Sequence, residues 1–489
     1  MPLVLAAQSL KEFEKKVTEF TLPNGLHFIV AERHEAPVVS FHTYVNAGSV
    51  DDPSGETGIA HMFEHMAFKG TETMGSKNWP EEKKAIDQVE EVYDRLDAER
   101  NKGGKADAKK VEALEAELKG AEEKANSYVV QNLYPRVIEQ NGGAGLNAQT
   151  EVDATEYFYS LPSNRIELWF LLESERFIHP VFREFYKERD VVMEEYRMRV
   201  ESEPQGKLLQ AFLATAFAAH PYRNMSAGWP SDVSHLRRAD AWRFFHEYYV
   251  PGNITMALVG DVNPADARRL AEKYFGPMEA HPLPPLLHTL ELPQGGPKQA
   301  EVESPSQPLV FIGYKRPDQL SGDDPVFDVV SGALSSGRTG LLYKELVRDK
   351  QIALEAEADD TFPGGKYPNL FVFLLAPAMG HTTAENEKAF YDLLERFKSE
   401  KVDAETLARV KTKTRAGLIR RLDSNPGLAS LLTAYYAIYG DWRKLFTSLD
   451  EIDKVTAEDV QRVAKKYFVP EGRTVAYLIP PKADAGGGK

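Results

Sequence analysis

The chain carries His61-Met62-Phe63-Glu64-His65, two imidazoles four residues apart with a carboxylate just before the second. On a helix, at about 100° per residue, His61 and His65 lie about 40° apart and Glu64 about 60° from His61. One metal ion can therefore touch both rings while the carboxylate stands beside a water that the metal polarises, the layout of a hydrolytic zinc site. The local pattern supports a helix: Asp51-Asp52-Pro53-Ser54-Gly55 is turn-rich, and Ile59, Met62, Phe63 and Met66 give the opposite face an apolar anchor. A catalytic zinc takes three protein ligands and keeps one position open, so a third donor must come from elsewhere. The segment Lys187-Glu188-Arg189-Asp190-Val191-Val192-Met193-Glu194-Glu195-Tyr196 supplies two acids seven residues apart, Glu188 and Glu195, which share a helical face to within about 20°. One of them can bind metal while the other orients a ligand. Taken alone, with Arg189, Arg197 and Arg199 alongside, this helix reads as a solvated, ion-paired face. His179, His220 and His246 have no partner at ligand spacing and read as core or capping residues.

Composition bounds these readings. The 489 residues hold 74 acidic and 59 basic side chains, a net charge of -15, and no local basic stripe, which argues against nucleic acid as a partner. There is no cysteine, so disulfides and thiolate ligands are excluded and His, Glu and Asp must hold any metal. No apolar run approaches the roughly 20 residues that cross a bilayer. Apolar Pro2–Ala7 reads either as a frayed terminus or as the stub of a removed export signal. The second case places the protein in a bacterial periplasm; otherwise it is cytoplasmic.

The elements that must position these groups are organised by an internal repeat. Asp232-Val233-x-x-Leu236-x-x-x-Asp240-x-x-Arg243 parallels Glu451-Ile452-x-x-Val455-x-x-x-Asp459-x-x-Arg462, and each leads through Pro251 or Pro470 into a buried strand, at an offset of 219 residues. The earlier strands Val38–Phe41 and Pro308–Phe311 differ by about 269, so the first half carries roughly 50 extra residues. These fall between about Trp79 and Tyr128. Ile86, Val89, Tyr93 and Leu96, then Val111, Leu114, Leu118, Ala121, Ala125 and Tyr128, follow a three-four alternation on either side of Gly103-Gly104. That pattern predicts a helical hairpin, zipped as a coiled coil and projecting from the body, either a docking arm or lid or a solvated, stabilising excursion. The expected architecture is α+β: two homologous sheet-and-helix half-domains, residues 1–276 with the insertion at about 79–128 and residues 308–489, joined by a proline-rich linker over 277–307.

The chain resembles the pitrilysin or insulinase metallopeptidases, whose His-x-x-Glu-His inverts the commoner zinc motif. The resemblance rests on Leu22-Pro23-Asn24-Gly25-Leu26, Gly58 to Gly70 around the motif, Leu146-Asn147-Ala148-x-Thr150, and Glu188-Arg189-x-Val191-Val192-x-x-Glu195. It implies one zinc per chain, held by His61, His65 and Glu195, with Glu64 as general base and Glu188 supporting the site, and hydrolysis of peptides or unfolded protein segments. It further implies that Gly145–Gln149 is an edge strand that binds substrate through Asn147 and Ala148 by strand addition. At the offset of 269, His61 and His65 map near Val330 and Leu334, so the second half has no metal motif. Family members often place an Arg and a Tyr seven residues apart there to bind substrate. Arg348 fits the first, but position 355 is Glu. This departure implies the zinc-bearing subunit of a dimer, a heterodimer with a homologous zinc-less partner or else a homodimer. The alternatives are a non-catalytic peptide-binding or scaffold subunit, such as the respiratory-complex core proteins, and an interaction protein working through the hairpin.

Overall fold

A computed structural model describes residues 10–481, so the apolar Pro2–Ala7 lies outside the described residues. Two sheets organise the chain. The first has the order β1-β2-β6-β3-β5-β4, from Val17–Thr21 (β1), His27–Glu32 (β2), Val38–Val45 (β3), Ala144–Thr150 (β4), Thr155–Pro162 (β5) and Ile254–Gly260 (β6). The second has the order β7-β11-β8-β10-β9, from Lys298–Glu303 (β7), Leu309–Arg316 (β8), Ala353–Phe362 (β9), Asn369–Pro377 (β10) and Arg473–Ile479 (β11). The orders superpose once β1 is set aside. In each sheet one parallel pair, β2 with β6 or β7 with β11, continues into an antiparallel run.

The register carries the duplication. Val45 lies opposite Ile254, the first residue of β6, and Tyr314 lies opposite Arg473, the first residue of β11. The helices Arg238–Tyr248 and Ala457–Tyr467 keep the offset of 219 as well. The central strands are covered on both sides: β6 is buried at all seven positions. Within the stretch read as linker, the proline-free Lys298–Glu303 is the edge strand β7, which pairs only with β11.

Each half also lends a helix to the other. Leu428, Ala429 and Leu432, on the second-half helix Asn425–Tyr439, pack with Ile29, Ala31, Ala257 and Val259 beneath the first sheet. Reciprocally, Leu208, Phe212 and Leu213, on the first-half helix Pro204–Ala216, pack with Leu309, Leu370, Val372 and Leu478 beneath the second sheet. A buried hydrogen bond, Thr433 Oγ1 with His42 Nδ1 at 2.9 Å, ties the first exchange.

The insertion forms two helices, Trp79–Arg100 and Ala108–Asn126. It differs from the expected projecting arm, because much of it lies against the body: Ala85, Ile86, Val89, Tyr93, Ala121 and Ala125 belong to the first half's main core. Farther out the two helices hold each other, through buried Leu96 and Leu114 and through the ion pairs of Arg95 with Glu117 and Arg100 with Glu115.

Candidate metal centre

His61, Glu64 and His65 sit on the helix Ile59–Met66. Its start is fixed by three groups. Gly58 takes φ +91°, where a Cβ would also meet Val233 at 2.8 Å, so only glycine turns the chain into the helix there. The buried Asp52 carboxylate accepts from Gly58 N at 2.7 Å and Ala60 N at 3.0 Å, satisfying free amides at the positive end of the helix. Thr57 donates to Asp232 at 2.7 Å and accepts from Trp229 N at 2.8 Å. Met62, Phe63 and Met66 fill the core behind, with Phe63 against Tyr249 at 4.1 Å between ring centroids.

The helix exit is set by Arg183, a buried residue that sequence reasoning missed. Its guanidinium donates to Thr71 O at 2.8 Å, Met74 O at 2.9 Å and Glu82 Oε1 at 2.7 Å, and also reaches Lys69 O. A buried cation among four acceptors defines the loop after the motif. The next helix, Phe185–Tyr196, then brings Glu188 and Glu195 to the motif.

The three expected metal-binding residues converge. His61 Nε2 is 3.7 Å from Glu195 Oε2, and His65 Nε2 is 3.5 Å from Glu195 Oε1. The donor atoms of His61, His65 and Glu195 all lie within 4.8 Å of one another. Ligands about 2.0–2.1 Å from a tetrahedral zinc stand about 3.3 Å apart, so the trio fits one such ion with small adjustments. Glu195 Oε2 is buried without a hydrogen-bond partner; Arg199 Nη2 comes within 3.1 Å of that oxygen as an ion pair only. Buried polar atoms left so are what a bound cation satisfies.

The two rings differ electrically. Burial, helped by the neighbouring His65, pulls His61 down to about 3, so its ring stays neutral and free to ligate. Burial acts on His65 too, but hydrogen bonding to Glu188 at 3.4 Å and the charges of Glu195 and Glu64 outweigh it and leave His65 raised. Glu188 accepts from Lys69 on its other oxygen, and these two partners overcome burial to hold its carboxyl below the ordinary range. Glu64 is raised by burial against the pull of Thr150, whose hydroxyl donates to Glu64 Oε2 at 2.6 Å. That bond occupies one carboxylate oxygen, and Glu64 lines an adjoining cleft.

The cleft, about 630 Å³, is lined by Glu64, His65, Phe68 and Met74 on one side and by Leu133, Tyr134 and Gly143–Ala148 on the other. Asn147 and Ala148 stand on β4, which pairs on one side only, with β5. Arg348 is placed elsewhere. It is exposed, donates to Asp349 at 2.6 and 2.9 Å, and does not line the cleft; Glu355 is likewise exposed, on the edge strand β9. Val330 and Leu334 are fully buried in the second core.

Set beside known proteins, the architecture is the two-half-domain M16 fold. It is similar to the crystal structure of a protease from Helicobacter pylori (TM-score 0.79, 24% identity, 95% of this chain and 100% of that one), and to a structure described as peptidase M16 inactive domain from Pseudomonas fluorescens (TM-score 0.75, 16% identity, 96% and 98%). The chain belongs to the M16 peptidase family: residues 28–90 and 123–228 match the family described as Insulinase (Peptidase family M16), and residues 235–414 match Peptidase M16 inactive domain. Its relatives include Zinc protease PqqE of Helicobacter pylori, 26% identical over 97% of this chain and 95% of that protein. Another is the probable mitochondrial-processing peptidase subunit beta of Arabidopsis thaliana, 21% identical over 96% and 78%. The residues between 90 and 123 that the first family description skips lie within the hairpin.

Proposed function

We propose that the chain is a zinc-dependent endopeptidase acting on peptides or unfolded protein segments, with His61, His65 and Glu195 holding one zinc and Glu64 as general base. The observation that carries this reading is the convergence of two imidazole nitrogens on one carboxylate at 3.5 and 3.7 Å beside an open cleft. When bound, zinc supplies a Lewis acid for the scissile carbonyl and brings the pKa of water toward neutrality. Glu64, raised by burial and fixed by Thr150, takes the proton from the attacking water and passes it to the leaving amine. Glu188 orients His65 through Nδ1, leaving Nε2 for the metal. An extended substrate adds to the free edge of β4 at Asn147 and Ala148, where backbone pairing tolerates many side chains.

This peptidase works as the zinc-bearing subunit of a dimer. The support is local: Arg348 is tied to Asp349, and position 355 offers a carboxylate where a phenol would serve. A partner of the same family then supplies the second-half contacts, in a heterodimer or a homodimer.

The test is metal analysis of the purified chain together with cleavage of a quenched peptide library, alone and with a candidate partner. One zinc per chain, with cleavage removed by chelation and restored by zinc, is the expected result. A folded chain that takes up no zinc contradicts it, and full activity from the monomer contradicts the dimer.

A further inference from the structure

The hairpin insertion touches the metal centre from behind. Helix Phe185–Tyr196 presents Glu188 and Glu195 to the histidines, while Tyr186, about 200° round the helix from Glu188, faces the other way. There the Tyr93 ring stacks on Tyr186 at 4.1 Å between centroids, with planes 18° apart. The Arg189 guanidinium covers both rings, at 5.4 and 5.0 Å, and donates to Tyr93 Oη at 2.8 Å and to Leu236 O at 3.1 Å. Tyr186 Oη donates to Glu90 at 3.1 Å, and Arg237 pairs with Asp94. One helix of the hairpin thus holds the outer face of the helix whose inner face carries the two glutamates.

A second anchor lies at the hairpin's foot. Glu82, fully buried, accepts from Arg183, the residue that organises the loop leaving the motif helix. Glu82 and Tyr93 are eleven residues apart, about 16 Å along the helix. The same rigid rod therefore fixes both elements that meet at the metal centre.

We propose that the hairpin is a clamp that presses the Glu188–Glu195 helix against the motif helix, with Tyr93 as its positioning residue. The proposal rests on the metal reading above for its consequence, though its mechanical part does not. A stacked and hydrogen-bonded tyrosine restrains the outer face, so removing it loosens the inner carboxylates relative to the imidazoles. Support behind metal ligands sets affinity by about tenfold or more.

The experiment uses the full chain and three variants, Tyr93→Ala, Tyr93→Leu and Arg95→Ala, the last altering the hairpin's own ion pair beyond the clamp. Zinc affinity is read by chelator competition and local opening by hydrogen exchange over residues 185–196, with and without zinc. Tyr93→Ala is expected to weaken zinc about tenfold and to speed exchange over 185–196, and Arg95→Ala to do neither. Wild-type zinc affinity and exchange in folded Tyr93→Ala overturn the clamp. Should that variant fail to fold, Tyr93→Leu, which keeps apolar bulk, decides on the same readings. Equal loss in Arg95→Ala also overturns it, since the whole hairpin would then matter regardless of the stack. If the wild type binds no zinc, the metal reading fails; faster exchange in zinc-free Tyr93→Ala still supports the mechanical part, and unchanged exchange overturns it.

Discussion

The two halves share strand order, register and a reciprocal exchange of helices, yet only the first brings ligating groups to the start of its first long connection. Where the first half has His61, Glu64 and His65 facing Glu188 and Glu195, the second has Val330 and Leu334 sealed in a hydrophobic core. A duplicated scaffold therefore supports either a packed core or a polar centre at the same place. What differs is the support: Thr150 and Lys69 pair Glu64 and Glu188, while Asp52 holds the start of the motif helix and Arg183 the loop that leaves it. Without such partners, buried carboxylates and imidazoles cost more than a small domain can spare.

The comparison breaks most completely at the exchanged helices. Residues 10–276 expressed alone lack the helix Asn425–Tyr439, which leaves Ile29, Ala31, Ala257 and Val259 uncovered. Such a fragment is expected to be insoluble or unfolded by circular dichroism and to be rescued by co-expression with 277–481; an independently folded first half would refute the reciprocal exchange as a structural necessity. Next in size, His61→Ala, His65→Ala and Glu195→Ala are each expected to abolish stoichiometric zinc binding, measured by metal analysis, while a folded chain remains. Transplanting the motif should fail: Val330→His with Leu334→His buries two imidazoles without partners, destabilises by about 2–4 kcal/mol and gives no second zinc in denaturant titration and metal analysis. The smallest effect is with pH. His27 and His220 are buried in the first half and held at about 4 by burial, whereas His381 of the second half is partly exposed. Their folded pKa lies below the ordinary 6.5, so the unfolded chain binds more protons between these values. This contribution is complete above 6.5 and falls as pH drops toward 4, and His220→Asn should flatten part of that slope in denaturant midpoints.

Much of this was legible in the sequence because it is local or periodic. The i, i+4 histidines, the i, i+7 glutamates, the three-four alternation of the hairpin and the 219-residue offset need only neighbouring residues or a self-comparison; the structure brings His61, His65 and Glu195 together and keeps the offset in its helices. The support was not legible. Arg183 reads as one more surface arginine until Glu82 and three carbonyls surround it, and Asp52 reads as a turn residue until the helix start bonds to it. The projecting hairpin was a natural expectation from amphipathic spacing, but Tyr93 and Val89 belong equally to a seam and to a body contact, and only Tyr186 and Arg189 decide between them. The helix exchange leaves no local signature at all, since an apolar face does not name what will cover it.

The central claim concerns Glu64 beside three donors, and one substitution tests it most directly. Glu64→Gln keeps the shape and the Thr150 contact but removes the base. With one zinc per chain bound, peptide turnover by this variant should fall by about 10³-fold or more. Turnover within a few-fold of the wild type, at unchanged zinc content, would contradict the account.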